Sequence, residues 1–490
     1  MTKIFIYFAL LFSISTQSLA GEYEEWLKTQ NQILGQFRKS LDDDFTDMLK
    51  KDWESYKTSF TVNPFKEPKP KELPRIQKEI LPPQEIVDKS PIIKIKKFQE
   101  QSVPDQTISE KQIDSKIEKV KEKETIDAKL KFVSINFYAQ KLTFRVDKNF
   151  EFNLQTISND ELSKSWKSLS KLDIKPFIDD LLVSKNKLNL NDWAMYSLLN
   201  MISKELYKDE NKSNIFNWFI LTKMGFDTKI GYFKNNTYLM STVKQLIYQM
   251  SFFTMSGKKY YVLNTDIKRK PITQIYTYDS IYPNANNKMS FDINSKAINI
   301  STNQEVKKLK FKVNNKEFKV EALYSKDLID FYKTFPQAEY QLYFNAQESR
   351  LVSNSLLISL KPIVDGKSEI EATNILLRFV QTAFVYKTDE DQFGYEKVFF
   401  PEETLFYPYS DCEDRSIMFS YLVKNLVGLD VVGIRFEDHL ATAVAFSSKI
   451  DGDNFVFNGK RYTIADPTYI NANAGMTMPQ YANKTFEVVK

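Results

Sequence analysis

Cysteine and histidine are almost absent from this chain of 490 residues, which contains one of each. A single cysteine cannot form a disulfide within the chain, so stapling of the fold is excluded as its role. One cysteine and one histidine would leave only carboxylates to complete a zinc site, and their spacing matches no common zinc pattern. We therefore expect no metal and no other cofactor.

Neither a strong excess of charge nor a long apolar run marks the body of the chain. Lysine and arginine number 68 against 63 aspartates and glutamates, for a formal net charge of +5. So small an excess gives no electrostatic basis for nucleic acid as the main partner. Beyond the N-terminus, no apolar run approaches the roughly 20 residues of a membrane-spanning helix, so we expect no integral membrane segment.

Residues 1–20 have the composition of a secretory signal peptide. Lys3 supplies a basic start, Ile4–Ser13 is apolar, and Ser18-Leu19-Ala20 offers small residues for the cleavage site. This predicts export, either to the periplasm or to the medium. In an oxidising compartment an idle, exposed thiol would be oxidised. The single cysteine, Cys412, is therefore expected either to be buried and inert or to do chemistry.

The stretch from residue 21 to residue 128 falls into two parts. In residues 21–60, apolar side chains recur three and four positions apart across Glu22–Thr58, which predicts a helix that packs on the protein or binds a protein partner. Residues 61–128 hold eight of the 17 prolines, no glycine and many lysines and glutamates. Such a composition buries too little apolar area to offset its ordering entropy. It predicts an extended linker, with a frayed helix near Ile108–Lys123.

From residue 129 onward the pattern is globular and indicates an α+β fold. We divide it into residues 129–270, a β-rich segment at 271–334, and residues 335–490. The β-rich assignment rests on short alternating runs such as 309–313 and 318–320. Further predicted elements are strands at Phe132–Tyr138 and Leu142–Val146, and helices at Trp193–Tyr207, Ile215–Met224, Ser325–Thr334 and Glu369–Phe384.

Residues 129–270 and 335–490 contain matching segments in the same order. A helical segment followed by Gly225 and Gly257 corresponds to one followed by Gly428 and Gly459. The alternative is generic helix–turn–strand patterning without a true repeat. If the repeat is real, its first copy is degenerate and could serve structure or partner binding. The residues at the equivalent positions would be Glu210 or Asn211 for the cysteine, Tyr238 for the histidine and Asn264 for the aspartate.

Cys412 directly precedes an apolar periodic run and follows two suitable N-cap residues, Ser410 and Asp411. We therefore expect it at a helix N-terminus, where the macrodipole favours the thiolate. The acidic Glu413 and Asp414 oppose this, so a basic partner is needed. The same acidic surroundings argue against deep burial of the thiol.

His439 and Asp466 are the residues that could activate the thiol. Each lies at one end of an alternating run, and Asp466 follows His439 at the same interval as His439 follows Cys412. Adjacent strands would let the carboxylate fix the imidazole tautomer, while the helix brings the thiol to the other ring nitrogen. This is the nucleophile, base and orienter arrangement of covalent acyl transfer.

The motifs around these positions resemble those of the transglutaminase-like superfamily, a branch of the papain-like folds. The similarity covers about residues 370–475. It implies a papain-like C-terminal domain with Cys412 as nucleophile, His439 as general base and acid, and Asp466 as orienting residue. The family often has an upstream tryptophan that aids oxyanion binding, which this chain lacks, so Gln392 and Tyr395 are candidates for that role. The matching motifs are Pro401-Glu402-Glu403-Thr404-Leu405, Asp411-Cys412-Glu413-Asp414 and Ala465-Asp466-Pro467-Thr468-Tyr469.

Three hypotheses of function follow from the sequence. An exported thiol enzyme would act on peptide or protein amides, as a peptidase or amidase with water as acceptor, or as a cross-linking acyltransferase with a lysine amine. We favour hydrolysis, because exclusion of water requires a specialised site of which the sequence shows no sign. The alternative is a catalytically silent binding or assembly protein that uses transglutaminase-like domains as a scaffold. A polysaccharide-active enzyme is the weakest hypothesis, because paired carboxylates occur throughout so charged a chain.

Overall fold

The structure is a computed structural model that describes residues 29–51 except 31 and 34, 53–60, 73–76, 91–93, 129–263, 272–293, 297–300 and 302–490. Helices and strands are mixed along the chain, which confirms the α+β class. The predicted signal peptide and the predicted helix near Ile108–Lys123 lie outside the described residues. Among the helices that are described, none is both long and apolar enough to cross a bilayer.

The N-terminal helix is shorter than predicted. Helix α1, described over 29–49 except 31 and 34, ends well before Thr58, and two strands follow it, β1 (Trp53–Lys57) and β2 (Ser59–Phe60). Trp53 pairs with Tyr278 of a later strand. The prediction of one continuous helix was therefore wrong, because aromatic residues spaced like a helical stripe also suit a strand once a partner edge is available.

Helix α1 packs on the body of the protein along its second half. Phe45 and Leu49 are buried, whereas Ile33 and Phe37 are exposed. Asp42 accepts hydrogen bonds from Trp166 Nε1 at 3.2 Å and from Tyr282 Oη at 3.2 Å. The described part of the helix is thus held on the protein by buried apolar side chains and by the buried hydrogen bonds of Asp42.

Part of the predicted linker is docked rather than free. The Ile76 N–H donates to the Ile470 carbonyl at 3.1 Å, and the Ile470 N–H donates to the Pro74 carbonyl at 3.0 Å. Further on, the Ile93 N–H donates to the Lys367 carbonyl at 2.9 Å. Main-chain pairing with the C-terminal region therefore orders two short stretches that their composition predicted to be extended.

The first globular unit packs helices against a seven-stranded antiparallel sheet with the order β1-β9-β5-β6-β8-β7-β2. Two of its helices begin at side-chain caps: Asn191 Oδ1 accepts the Ala194 N–H at 2.9 Å, and Asp209 Oδ1 accepts the Lys212 N–H at 2.8 Å. Because of the second cap, the helix predicted to begin at Ile215 starts at Glu210. The elements are β3 (Leu130–Phe137), β4 (Gln140–Asp147), α2 (Asn159–Leu169), α3 (Lys175–Lys187), α4 (Asp192–Tyr207), α5 (Glu210–Lys223), β5 (Thr228–Phe233), β6 (Asn236–Thr242), β7 (Ser251–Met255), β8 (Lys258–Val262) and β9 (Gln274–Tyr278).

A long hairpin connects the two units. Strands β10 (Gln304–Val313) and β11 (Lys316–Ser325) contain the predicted alternating runs, and helix α6 (Lys326–Tyr332) follows directly. Their inward residues include Phe311, whose ring lies 5.2 Å from that of Phe379 in the C-terminal unit. The hairpin thus buries one face against the region that carries the predicted site.

The C-terminal unit packs helices against a five-stranded antiparallel sheet with the order β16-β17-β15-β14-β18. A short parallel pair, β12 with β13, lies just before the helix that Cys412 begins. The elements are α7 (Tyr340–Phe344), α8 (350–364, with a π-helical turn at Ser353–Leu357), α9 (Glu369–Ala383), β12 (Val385–Tyr386), α10 (Asp389–Phe393), α11 (Pro401–Phe406), β13 (Tyr409–Ser410), α12 (Cys412–Leu422), β14 (Asp430–Arg435), β15 (Leu440–Ala445), β16 (Asn454–Phe457), β17 (Lys460–Ala465) and β18 (Glu487–Val489).

The two units share one arrangement of helices and strands. In the first sheet the strands run β7-β8-β6-β5-β9, and in the second they run β16-β17-β15-β14-β18, in the same sequence order. Helices α4 and α5 contact each other before the first sheet, as α9 and α12 do before the second. The match between the two units therefore extends one strand further than it does in the sequence, to β9 in the first unit and to β18 in the second.

One equivalent hydrogen bond in each unit allows their residues to be aligned. Ser416 Oγ donates to the Leu440 carbonyl at 2.9 Å, and Asn214 Nδ2 donates to the Thr237 carbonyl at 3.1 Å. Each donor lies one turn into its helix, and the first residue of α5, Glu210, therefore occupies the position of Cys412. The residue before Thr237 is Asn236, so Asn236 rather than Tyr238 stands at the histidine position. The proposed aspartate equivalent, Asn264, lies outside the described residues.

Candidate functional site

Cys412 is the first residue of α12, as predicted. Asp411 precedes it in an extended conformation, and the Asp411 N–H donates to Asp414 Oδ2 at 3.3 Å, which closes the helix start. The sulfur therefore lies where the helix dipole favours negative charge. Whether the thiol uses this position depends on the groups around it.

His439 and Asp466 are brought together by two neighbouring strands. His439 directly precedes β15 and Asp466 directly follows β17, and these strands pair with Thr442 opposite Ala465. His439 Nε2 lies 2.8 Å from Asp466 Oδ2. The other carboxylate oxygen, Oδ1, accepts the Thr468 N–H at 2.8 Å, which fixes the orientation of the carboxylate.

The sulfur of Cys412 meets the same strand. A hydrogen bond with the main chain of Leu440, the residue after His439, lowers the pKa of the Cys412 thiol. One turn along the helix, the Ser416 hydroxyl donates to the Leu440 carbonyl. His439 Nδ1, the nitrogen not used by Asp466, is buried and has no hydrogen-bond partner in the described part of the chain. The structure thus places all three predicted residues around the start of β15.

The site is more deeply buried than predicted. Cys412 is 0 % exposed and His439 is 1 % exposed. The expectation that acidic neighbours would keep the thiol near the surface was wrong, because Asp411, Glu413 and Asp414 are themselves fully buried. Hydrogen bonds within the fold replace solvent for part of these carboxylates: Asp414 Oδ1 accepts the Phe399 N–H at 2.9 Å.

The thiol is held in its neutral form. Cys412 Sγ donates to Glu413 Oε2 at 3.0 Å. Burial raises the pKa of the Cys412 thiol well above its usual range, and the Asp411 carboxylate raises it further. The hydrogen bond between the thiol and the Glu413 side chain, and the one from the main chain of Leu440, oppose this shift only in part. A reactive thiolate therefore requires a change in this environment.

Three buried carboxylates beside the sulfur form a group that sequence reasoning missed. Asp389, Asp411 and Glu413 each offer an oxygen within 4.8 Å of the others. Burial, followed by the charge of Asp411, raises the pKa of Glu413 well above its usual range, and burial raises the pKa of Asp411 to about 7. Asp411 Oδ1 and Glu413 Oε1 are buried without a hydrogen-bond partner among the described residues.

This donor set suits a hard divalent cation such as Ca²⁺ or Mg²⁺, which takes carboxylate oxygens. Such an ion would neutralise the charges that suppress the thiolate. The sequence argument against a metal considered zinc and its Cys and His ligands, and did not consider a site made of carboxylates alone. The available signal was the pair of acidic residues flanking Cys412, but Asp389 lies on a separate helix, α10.

Arg415 is the buried cation nearest to these acids along α12. Its Nη2 donates to the Phe384 carbonyl at 2.8 Å, and its Nε donates to Ser410 Oγ at 3.3 Å. Burial lowers the pKa of Arg415 to about 10, although nearby charges oppose the shift. Its hydrogen bonds go to main-chain and hydroxyl oxygens, so it screens the carboxylates only from a distance.

The predicted oxyanion residues lie on helix α10 and just after it, and their role stays a prediction. The Gln392 N–H donates to the Thr388 carbonyl at 3.0 Å, and the Tyr395 ring lies 6.0 Å from that of Phe393. Within the described residues, neither makes a hydrogen bond to Cys412. Two tyrosines sense the charge of Cys412: burial raises the pKa of Tyr340 and of Tyr386, and the charge of Cys412 adds to each shift.

Comparison with known proteins identifies no relative of this chain: no protein-family model, no curated protein and no solved structure matches it.

Proposed function

We propose that residues 335–490 form a transglutaminase-like domain with a papain-like fold that transfers acyl groups from peptide or protein amides through Cys412, His439 and Asp466. One observation carries the proposal. His439 Nε2 is hydrogen-bonded to Asp466, its Nδ1 has no hydrogen-bond partner among the described residues, and the Cys412 thiol is hydrogen-bonded to the main chain of Leu440, the residue next to His439. A base that a carboxylate orients through one ring nitrogen, with the other nitrogen available near a thiol, is the arrangement that nucleophilic catalysis needs.

The proposed reaction proceeds in two halves. His439 Nδ1 takes the proton of the thiol, and the sulfur attacks the carbonyl carbon of the amide to form a C–S bond and an oxyanion. The C–N bond then breaks, and the amine leaves with the proton from His439. Water, deprotonated by His439, attacks the resulting thioester and releases a carboxylic acid and the free thiol. The main-chain N–H of Cys412, at the helix start, is a natural donor to the oxyanion.

We propose hydrolysis as the outcome and an exported protein as its setting. A lysine amine in place of water would give cross-linking, which requires the site to exclude water from the thioester. The proposal of export rests on the composition of residues 1–20. A labelled amine offered together with a glutamine peptide decides the acceptor, because its incorporation would replace hydrolysis by transamidation.

The buried state of the thiol defines what activation must do. The proton of Cys412 points to Glu413 rather than to the histidine. Binding of a divalent cation to Asp389, Asp411 and Glu413 would remove Glu413 as acceptor and would neutralise the adjacent negative charge. The thiol proton would then be free to move to Nδ1 of His439.

A second function is favoured by the same burial. A thiol with a raised pKa, beside acids whose pKa values are also raised, is the expected condition of a silent scaffold. The first unit has the same strand order but carries Glu210 and Asn236 at the cysteine and histidine positions. A binding or assembly protein built from two such units is therefore the alternative to the enzyme.

Alkylation of the thiol separates the two functions. Because the chain has one cysteine, the stoichiometry of iodoacetamide incorporation reports Cys412 alone. The rate is measured from pH 5 to 10, with a chelator and with Ca²⁺, for the natural protein and for His439→Gln. The enzyme predicts reaction well below the pH of about 8.5 typical of free cysteine in at least one of these conditions. It also predicts at least a tenfold lower rate at pH 7 in His439→Gln.

An unreactive thiol, or a profile that His439→Gln leaves unchanged, would establish the silent scaffold instead. The variant Cys412→Ala gives the background for alkylation and for cleavage of protein substrates. Circular dichroism of each variant is the control that tests whether the fold is retained.

A further inference from the structure

An aromatic side chain from the C-terminal segment covers the imidazole of His439. The Tyr481 ring lies 4.9 Å from the His439 ring, with an angle of 20° between the planes. Tyr481 follows β17 by a run of turns and is 7 % exposed. The stack therefore closes one face of the imidazole from solvent.

Tyr481 is itself held in place by the residues that precede His439. Its hydroxyl donates to Asp438 Oδ1 at 2.9 Å, and its ring lies 4.7 Å from that of Phe436. Burial, with Asp438 as the next cause, raises the pKa of the Tyr481 hydroxyl well above its usual range. The phenol thus stays a neutral donor, and its ring is fixed by a bond to the residue adjacent to the histidine.

We infer that Tyr481 is a positioning residue for His439, an inference that rests on the proposed function. Asp466 fixes one ring nitrogen, and the Tyr481 face restricts rotation of the imidazole plane. Together the two contacts direct Nδ1 away from both residues. The tyrosine face also stabilises the imidazolium that forms when the thiol proton arrives, because a cation over an aromatic face is attracted by the ring.

The competing explanation is that Tyr481 only fills a small core. It belongs to an apolar cluster behind the sheet that includes Tyr462, Met478 and Ile464. Tyr462 is fully buried in this cluster, with its ring 5.9 Å from that of Phe455. Because Tyr462 shares the core but makes no ring contact with His439 among the described residues, Tyr462→Leu is the matched control.

Two readouts test the inference. The first is the pH profile of Cys412 alkylation, and the second is the ¹⁵N chemical shift of the ring nitrogens of His439, which is unambiguous because the chain has one histidine. Tyr481→Leu is expected to lower alkylation at pH 7 by roughly three- to tenfold and to shift the histidine titration, as loss of a cation–π contact would. Tyr481→Phe keeps the ring face but loses the hydrogen bond to Asp438, so it is expected to move both readouts in the same direction by a smaller amount. Tyr462→Leu is expected to lower thermal stability without moving either profile.

Asp438→Ala provides a second variant that leaves the core intact. Loss of the hydroxyl acceptor frees the tyrosine ring, so the same shifts are expected at smaller size. If Tyr481→Leu does not fold, this variant decides. The inference is overturned if Tyr481→Leu and Asp438→Ala both retain the profiles of the natural protein, or if Tyr462→Leu moves them equally.

Failure of the proposed function has a different signature. The natural protein would then show no alkylation step that depends on His439, whichever residue stands at position 481. A histidine-dependent step that is insensitive to Tyr481→Leu would overturn the positioning role alone.

Discussion

Replacement of Asp411 by asparagine isolates the charge that most opposes a thiolate. After burial, the Asp411 carboxylate is the largest cause of the raised pKa of the Cys412 thiol. Asparagine is as good an N-cap as aspartate. It also keeps an oxygen for the Asp389 N–H, which donates to Asp411 Oδ2 at 3.3 Å. The substitution therefore removes charge while leaving the helix start in place.

The magnitude follows from Coulomb's law. Two unit charges about 5 Å apart at an effective dielectric constant of about 20 interact by about 3 kcal/mol, or about two pKa units. The pKa of Asp411 is raised to about 7, so the side chain is fully charged at the higher pH where the thiol titrates. Removing this negative charge lowers the thiol pKa. Asp411→Asn should therefore shift the thiol titration, and with it the pH profile of alkylation, down by about two pH units.

The assay is the rate of iodoacetamide incorporation at Cys412 across pH. Glu390→Gln is the matched control, because Glu390 is exposed on α10 and its loss removes the same charge at the surface. The control should leave the profile within about twofold, since surface charges are screened by solvent. An Asp411→Asn profile that is unchanged, or that moves to higher pH, would refute the reasoning about the acidic surroundings of the thiol.

Three further predictions concern the acids and the site. Millimolar Ca²⁺ should raise the melting temperature and lower the pH midpoint of alkylation, and a chelator should reverse both effects. Asp389→Asn or Glu413→Gln should abolish both effects. A melting curve insensitive to Ca²⁺ and Mg²⁺ would exclude the cation site. Burial raises the pKa of Glu402 to about 7, so the stability that this side chain contributes at low pH is lost as the pH rises through 7. In urea unfolding, Glu402→Gln should be more stable than the natural protein at pH 8, by up to about 3 kcal/mol. At pH 4 the variant should not be more stable. Gln381 Nε2 donates to the Asp466 carbonyl at 3.1 Å. Gln381→Ala should therefore lower the free energy of unfolding by about 2–4 kcal/mol in the same assay and slow alkylation. Equal stability would show that this hydrogen bond does not hold the loop that carries Asp466.

Local chemistry explains what the sequence predicted well. The cap residues before Cys412 and the alternation after His439 depend on neighbours in the chain, and the structure places a helix start and a strand start there. The hairpin of β10 and β11 was likewise evident from alternation alone. The roles of Cys412, His439 and Asp466 in catalysis stay predictions, because position does not establish reactivity.

Contacts between distant segments explain what the sequence did not predict. Asp389 joins Asp411 and Glu413 only because α10 folds back on the start of α12, so a cluster of buried acids looked like a solvated helix turn. The stack of Tyr481 on His439 arises in the same way. The end of helix α1 was misplaced because Trp53 pairs with Tyr278, far along the chain. Periodicity in a sequence cannot reveal which remote edge will accept a segment.

The separation between the Cys412 sulfur and His439 Nδ1, measured in a crystal structure of the protein grown with Ca²⁺, tests the central claim most directly. The account predicts a distance of about 3–4 Å, with Nδ1 facing the sulfur and Nε2 still on Asp466. A sulfur more than about 6 Å away, or an Nδ1 bonded to a different group, would contradict it.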